Sequence, residues 1–217
     1  MALALFDLDN TLILGDSAQA FSEYMAASDI VTPDNFLQAN QIYMHDYDAG
    51  RLVLNDYMKY TLSPLTVLTP AQANTLINQF VEDILPKMLL PKALQLIDEH
   101  RHAGDEIVII SATGSHLVFP IARRLGVEHA LAVDIETIDG YITGEITGIP
   151  TFREGKVLRA QAWAKTRNFE VSEAVFYSDS HNDLPLLEAV QRPVAVDPDP
   201  QLQQEAKQRG WEIISLR

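Results

Sequence analysis

The chain has 217 residues, with 30 acidic against 16 basic side chains for a formal net charge of −14, and no cysteine. That length allows one large domain or a domain with a subdomain, and the absence of cysteine excludes disulfides, thiolate metal sites and cysteine nucleophiles. The acidic balance disfavours nucleic acid and anionic membrane surfaces as partners, while a small anionic substrate would need local cations to overcome that field.

The N-terminal run Met1-Ala2-Leu3-Ala4-Leu5-Phe6 is apolar and ends at Asp7-Leu8-Asp9-Asn10-Thr11. A short apolar stretch bounded by polar residues reads as a buried parallel strand, with both carboxylates at its C-terminal end, where open α/β sheets place their sites. Two carboxylates so close together either share a hard cation such as Mg²⁺ or form an Asx-type turn. No basic segment followed by a long apolar run opens the chain, and no stretch approaches eighteen apolar residues. The expectation is a cytoplasmic protein without a membrane span.

From Ser17 to about Met88 apolar residues recur at helical spacing: Phe21, Tyr24, Met25; then Leu54, Tyr57, Met58; then Ile77, Phe80, Val81, Ile84. Thr32-Pro33 and Thr69-Pro70 read as N-cap residues before a proline at the first helical position. The segment predicts about four helices and no sheet. From about Leu94 the pattern becomes strand–helix alternation. Strands are expected at Glu106–Ser111, Ala130–Val133, Ala174–Asp179, Pro193–Val196 and Trp211–Ser215. Helices are expected at His116–Leu125, Lys156–Thr166, Asp183–Val190 and Gln201–Arg209. Asp139-Gly140 between two apolar stretches signals a hairpin.

Such alternation calls for an α/β fold, a doubly wound parallel sheet with helices on both faces. An all-helical cap inserted after the first strand would lie over Asp7 and Asp9 as a lid. The expected division is a core of 1–14 and 89–217 and a cap of 15–88.

Three later segments converge on the same sheet edge. Ser111-Ala112-Thr113-Gly114-Ser115 offers a hydroxyl and successive N–H groups for an anion, or else an ordinary N-cap. Lys156 starts a helix, where its charge is mildly unfavourable for the macrodipole; it is either a surface lysine or a phosphate ligand. Asp179 and Asp183, in Tyr177-Ser178-Asp179-Ser180-His181-Asn182-Asp183, can face one cation or serve as caps. Within that turn His181 could serve as an acid or base, but reads more readily as a solvent-exposed histidine. His45, His100, His116 and His129 show no zinc-ligand spacing.

Taken together, in this order, the four segments resemble the motifs of the haloacid dehalogenase-like hydrolase superfamily: Asp7-Leu8-Asp9-Asn10-Thr11, Ser111, Lys156 and Asp179 with Asp183. The resemblance implies a Rossmann-like core. The helical insertion is similar to the cap of the subfamily (IB) that holds phosphoserine phosphatase. The Gly-Asp-Gly usual in the fourth motif is Ser178-Asp179-Ser180 here, and no glycine directly follows Ser111. That pattern, with Phe119-Pro120-Ile121-Ala122-Arg123 after the second motif, resembles a bacterial branch that includes histidinol-phosphate phosphatases.

The resemblance implies a phosphatase in which Asp7 is the nucleophile and Asp9 the general acid and then base. Mg²⁺ would be bound by Asp7, the Asp9 backbone carbonyl and Asp179, with Asp183 behind them. Ser111, Ala112 and Lys156 would hold the phosphoryl group. Asp16, nine residues beyond the nucleophile, matches a position that binds a substrate amine, or else caps the first cap helix. The segment from Gly15 to Leu90 has three basic residues against nine acidic ones, which favours a small phosphomonoester carrying an amine, such as histidinol phosphate or phosphoserine. Two other outcomes stay open: phosphoryl transfer to an alcohol by the same intermediate, and a binding module without turnover. The partners expected are a small phosphate ester and, at most, a second copy, as monomer or homodimer.

Overall fold

The computed structural model describes every residue except Met1, Asp29, Val31 and Thr32. Strand β1 (Leu3–Phe6) leads into helices α1 (Ser17–Ala27), α2 (Phe36–Asp48), α3 (Leu54–Leu62), α4 (Pro70–Asp83) and the short α5 (Leu85–Met88). Next come α6 (Pro91–Ala103), β2 (Glu106–Gly114), α7 (Ser115–Arg124) and a hairpin of β3 (His129–Ile138) and β4 (Tyr141–Thr147). Then follow α8 (Glu154–Lys165), β5 (Val175–Ser178), α9 (Leu184–Ala189), β6 (Arg192–Val196), α10 (Pro200–Arg209) and β7 (Glu212–Ile214). Among the described residues no helix is long and apolar enough to cross a membrane.

The seven strands form one sheet in the order β4-β3-β2-β1-β5-β6-β7, parallel except for the β3–β4 pair. Side chains of β1 alternate between two cores, as strand geometry requires. Ala4 and Phe6 face a cluster with Ala93 and Ile97 of α6 and Leu117, Val118 and Ile121 of α7. Leu3 and Leu5 face Ala160 of α8, Leu186 and Leu187 of α9, and Leu202 of α10. Burial on both faces explains the unbroken apolar run. With β2 on one side of β1 and β5 on the other, the strand order reverses at β1. A doubly wound sheet opens its crevice at that point, beyond the strands' C-terminal ends.

Helices α1 to α5 cover this edge, and Phe21, Met25, Phe80 and Val81 share one apolar cluster with the sheet. Entry to and exit from this helical segment lie side by side. Ile13 pairs antiparallel with Leu89, and the Leu14 N–H donates to Met88 O at 2.7 Å.

Several boundaries differ from expectation. Strand β2 runs to Gly114, with a register shift between Ile110 and Gly114 that bends it past Ser111; Gly114, not a hydroxyl residue, precedes α7. Strand β3 is continuous where two pieces were expected, because polar residues are tolerated where only one face is covered. Asp139 (φ 52°) and Gly140 (φ 83°) make the expected tight hairpin. Thr69 caps α4 in a capping box with Gln72 before Pro70. Helix α2, by contrast, begins at Phe36 after Asn35 in a left-handed conformation (φ 60°), so Pro33 is not its first residue; Thr32 lies outside the described residues.

Candidate active site

The backbone of Asp7 extends β1 by one residue, its N–H donating to Tyr177 O at 2.9 Å. Pairing on this side fixes the carboxylate at the sheet edge, 7% exposed. From the opposite side of the switch point, α8 projects the Lys156 ammonium, 1% exposed, into contact with it. Lys156 Nζ donates at 2.7 Å to Asp7 Oδ1 and at 2.7 Å to Asp183 Oδ2. Asp183 also accepts from Ser178 Oγ at 2.7 Å. Thr11 Oγ1 donates to Asp179 Oδ1 at 3.2 Å.

Burial works to discharge Lys156, yet Asp183 and Asp7 attract and hydrogen-bond it, and the net displacement is upward, so the ammonium stays charged. One ammonium does not neutralise the carboxylates around it. Burial pushes Asp7 up to about 7; Lys156 pulls against this, and Asp183 and Asp9 add to it. Asp179 is pushed well above the usual carboxylate range by burial, then by Asp7 and Asp183. An all-oxygen donor set short of positive charge fits a hard divalent cation. Among the described residues no cage of three or more His, Cys, Asp or Glu side chains is formed. Mg²⁺ is accommodated without one, since it keeps several waters and uses one or two carboxylates.

Asp9 is held separately. Its Oδ1 accepts from Ser17 N at 2.6 Å and its Oδ2 from Thr113 Oγ1 at 2.8 Å, with Ser111 Oγ at 3.4 Å. Ser111 Oγ in turn accepts from Thr113 N at 3.0 Å, a local bond that sets the bent end of β2. The start of α1 and the bent end of β2 thus fix the second carboxylate from two sides.

Asp7, Asp9, Asp16, Ser111, Ala112 and Asp179 line one cavity of ≈ 500 Å³ between the sheet edge and the helices above it. Lys156 and Asp183 lie just beneath its floor. Asp16 caps α1, its Oδ1 accepting from Gln19 N at 2.7 Å, and the residue also lines the cavity. Burial pushes it up to about 7, with Asp9 next in size and Asp48 contributing.

His181 corrects the sequence reading. Its side chain is 13% exposed, not a solvated turn residue. The N–H of His181 and its ring Nδ1 both lie against Asp199 Oδ2, at 2.7 and 2.8 Å. Asp199 also caps α10 through Leu202 N at 2.8 Å and donates its own N–H to Asp179 O at 2.8 Å. Thr113, Asp48, Tyr47, Tyr57 and Asp199 also line the walls; sequence reasoning assigned none of them to the site. Asp199-Pro200 carried a visible helix-start signal, but nothing in it pointed towards His181.

Residues 4–188 match the haloacid dehalogenase-like hydrolase family. The chain is a haloacid dehalogenase-like hydrolase. This hydrolase is 34% identical over 219 residues to a histidinol-phosphatase of Neisseria meningitidis serogroup C (strain 8013), covering 99% of each chain. Its structure resembles that of a protein of unknown function from Bordetella pertussis Tohama I, with a TM-score of 0.91 and 38% identity over 99% of this chain and 98% of that one. A substrate-bound phosphoserine phosphatase shares the fold at a TM-score of 0.73 and 18% identity, covering 100% of this hydrolase and 93% of that chain.

Proposed function

We propose that this hydrolase is a Mg²⁺-dependent phosphomonoesterase acting on a small, amine-bearing alcohol phosphate through an aspartyl-phosphate. The observation that carries the reading is the buried Lys156 ammonium, 2.7 Å from Asp7 and from Asp183. A charge this costly to bury sits just beneath the floor of a cavity, beside the one carboxylate that terminates β1.

In the proposed reaction the Asp7 carboxylate attacks phosphorus and the ester P–O bond breaks, leaving the phosphoryl group on Asp7. Asp9 donates a proton to the departing alkoxide. The same carboxylate then takes a proton from water as the water attacks phosphorus, which releases phosphate and restores Asp7. Lys156, Ser111 Oγ and the backbone around Ala112 bind the phosphoryl oxygens, and Asp183 holds Lys156 in place. Mg²⁺, bound by the Asp7 and Asp179 carboxylates and the Asp9 carbonyl, would offset phosphoryl charge. Asp16 takes the substrate amine. Residues 15–88 act as the cap and 1–14 with 89–217 as the core, and the lack of cysteine suits a cytoplasmic enzyme. The Neisseria relative's name makes histidinol phosphate the first ester to assay, with phosphoserine beside it.

Asp7→Asn is expected to lower Mg²⁺-stimulated hydrolysis of p-nitrophenyl phosphate about a thousandfold or more while the circular dichroism spectrum stays native. Retained turnover in that variant would overturn the mechanism. The thermal midpoint should rise on adding Mg²⁺ to wild type and rise less in Asp179→Asn.

A further inference from the structure

We propose that the cavity selects phosphate esters whose alcohol bears cationic groups and no carboxylate: amino-alcohol phosphates over amino-acid phosphates, with Asp48 as a second cation-binding residue beside Asp16. This rests on the phosphatase reading above and narrows its substrate class.

The argument begins with where each nearby cation is spent. Among the described residues no lysine or arginine lines the cavity. Lys156 is shared by Asp7 and Asp183 and, in the reaction proposed above, by the phosphoryl group, so it is not left for a second anion. The Arg153 guanidinium donates to Asn182 Oδ1 at 3.2 Å and to Gly50 O. Arg51 is paired with Asp46 at 2.9 Å on the outer surface. Any charge on His181 is matched by Asp199 at 2.8 Å. A carboxylate on the substrate therefore has no unpaired cation to meet.

It meets carboxylates instead. Beyond the reacting groups and the His181-paired Asp199, the walls add Asp16 and Asp48, close enough that the charge of Asp48 is felt at Asp16. Asp48 is the last residue of α2, the end where the helix dipole also favours positive charge. Tyr57 is buried in the same wall, its hydroxyl in the field of Asp16 and Asp9, and an aromatic wall suits a cation. Met44, Leu52 and Leu54 supply apolar wall. A phosphate at Lys156, an amine at Asp16 and a second basic or aromatic cation towards Asp48 match the charges of these walls, Asp199 being paired with His181. An α-carboxylate satisfies none.

Competition against p-nitrophenyl phosphate hydrolysis by wild-type enzyme tests this directly. Histidinol and histidine differ only in the alcohol or carboxylate beside the amine, so each is added as inhibitor. Histidinol should have an inhibition constant at least about tenfold lower than histidine, and ethanolamine phosphate should exceed phosphoserine in kcat/KM by a similar factor. Asp48→Lys should narrow or invert the histidinol-to-histidine ratio. Equal or better inhibition by histidine, no competition by either compound, or an unchanged ratio in Asp48→Lys would overturn the proposal. The aryl phosphate turnover that each assay requires keeps those failures separate from failure of the phosphatase reading.

Discussion

His116 holds its ring under α1, edge-on to Phe21 at 5.9 Å, with its Nδ1 buried and no hydrogen-bond partner among the described residues. Burial pulls its pKa from the usual 6.5 to about 4, so the ring is neutral in the folded chain near neutrality. Above about 6.5 both folded and unfolded forms are neutral and His116 adds no pH dependence. Between about 6.5 and 4 the unfolded chain binds the proton and the folded chain does not, so stability falls as the pH falls, and levels off below 4. Urea unfolding at pH 7 and pH 4.5 should show wild type losing about 2–3 kcal/mol more than His116→Leu across that interval. A parallel loss in both proteins would rule out the histidine as the cause. Such burial is invisible in sequence, and His181 makes the same point: its partner Asp199 is eighteen residues away on another element. Asp7, Asp9, Lys156, Asp179 and Asp183 were legible because their residue types recur at strand ends and helix starts in one fixed order. Asp48, an acidic residue at an ordinary helix end, carried no such signal.

Element boundaries were set by packing as much as by local preference. Helix α8 is the clearest case, because it must deliver Lys156 to Asp7. A Cβ at Gly155 would come within 1.9 Å of Pro150 O, a backbone atom that cannot move without shifting the loop. Gly155→Ala is expected to destabilise the fold by about 1–3 kcal/mol and to lower kcat/KM more than a surface alanine does, because the helix start must retreat from the sheet edge. Thermal melts alongside aryl phosphate kinetics check both halves; an unchanged kcat/KM would show that Lys156 is positioned without this contact. The bend of β2 past Ser111 is likewise unreadable beforehand. Its residues look like a helix cap, but the Thr113 N–H is taken by Ser111 Oγ and the Thr113 hydroxyl by Asp9. Alternation of strands and helices survived these shifts, since period and order depend on which faces are buried.

At the scale of the whole molecule, the helical segment is latched to the core beside the site. Arg153 donates to Gly50 O and Asn182 Nδ2 to Tyr47 O at 3.1 Å, while the Tyr47 ring lies 5.9 Å from Phe152. Arg153 holds φ 51°, ψ −122°, a conformation costly for any side chain but natural for glycine. Arg153→Gly therefore removes the latch while relaxing the backbone. The thermal midpoint should hold or rise, whereas KM for a small ester should increase several-fold and limited proteolysis of residues 15–88 should accelerate. Unaltered proteolysis and KM would mean that closure is held elsewhere.

The adjacent entry and exit of that segment, paired at Ile13 and Leu89, have a consequence for how such a chain can be rebuilt. Joined by a short turn at that point, the sheet would keep its strand order with the helices excised, so in topology the helical segment is a detachable cassette. The apolar cluster says otherwise: Phe21, Met25 and Phe80 are packed into the same interior as Phe6 and Ile97. A graft of a different helical segment would therefore have to carry its own apolar underside, matched to α7 and the sheet, before the chain could fold around it.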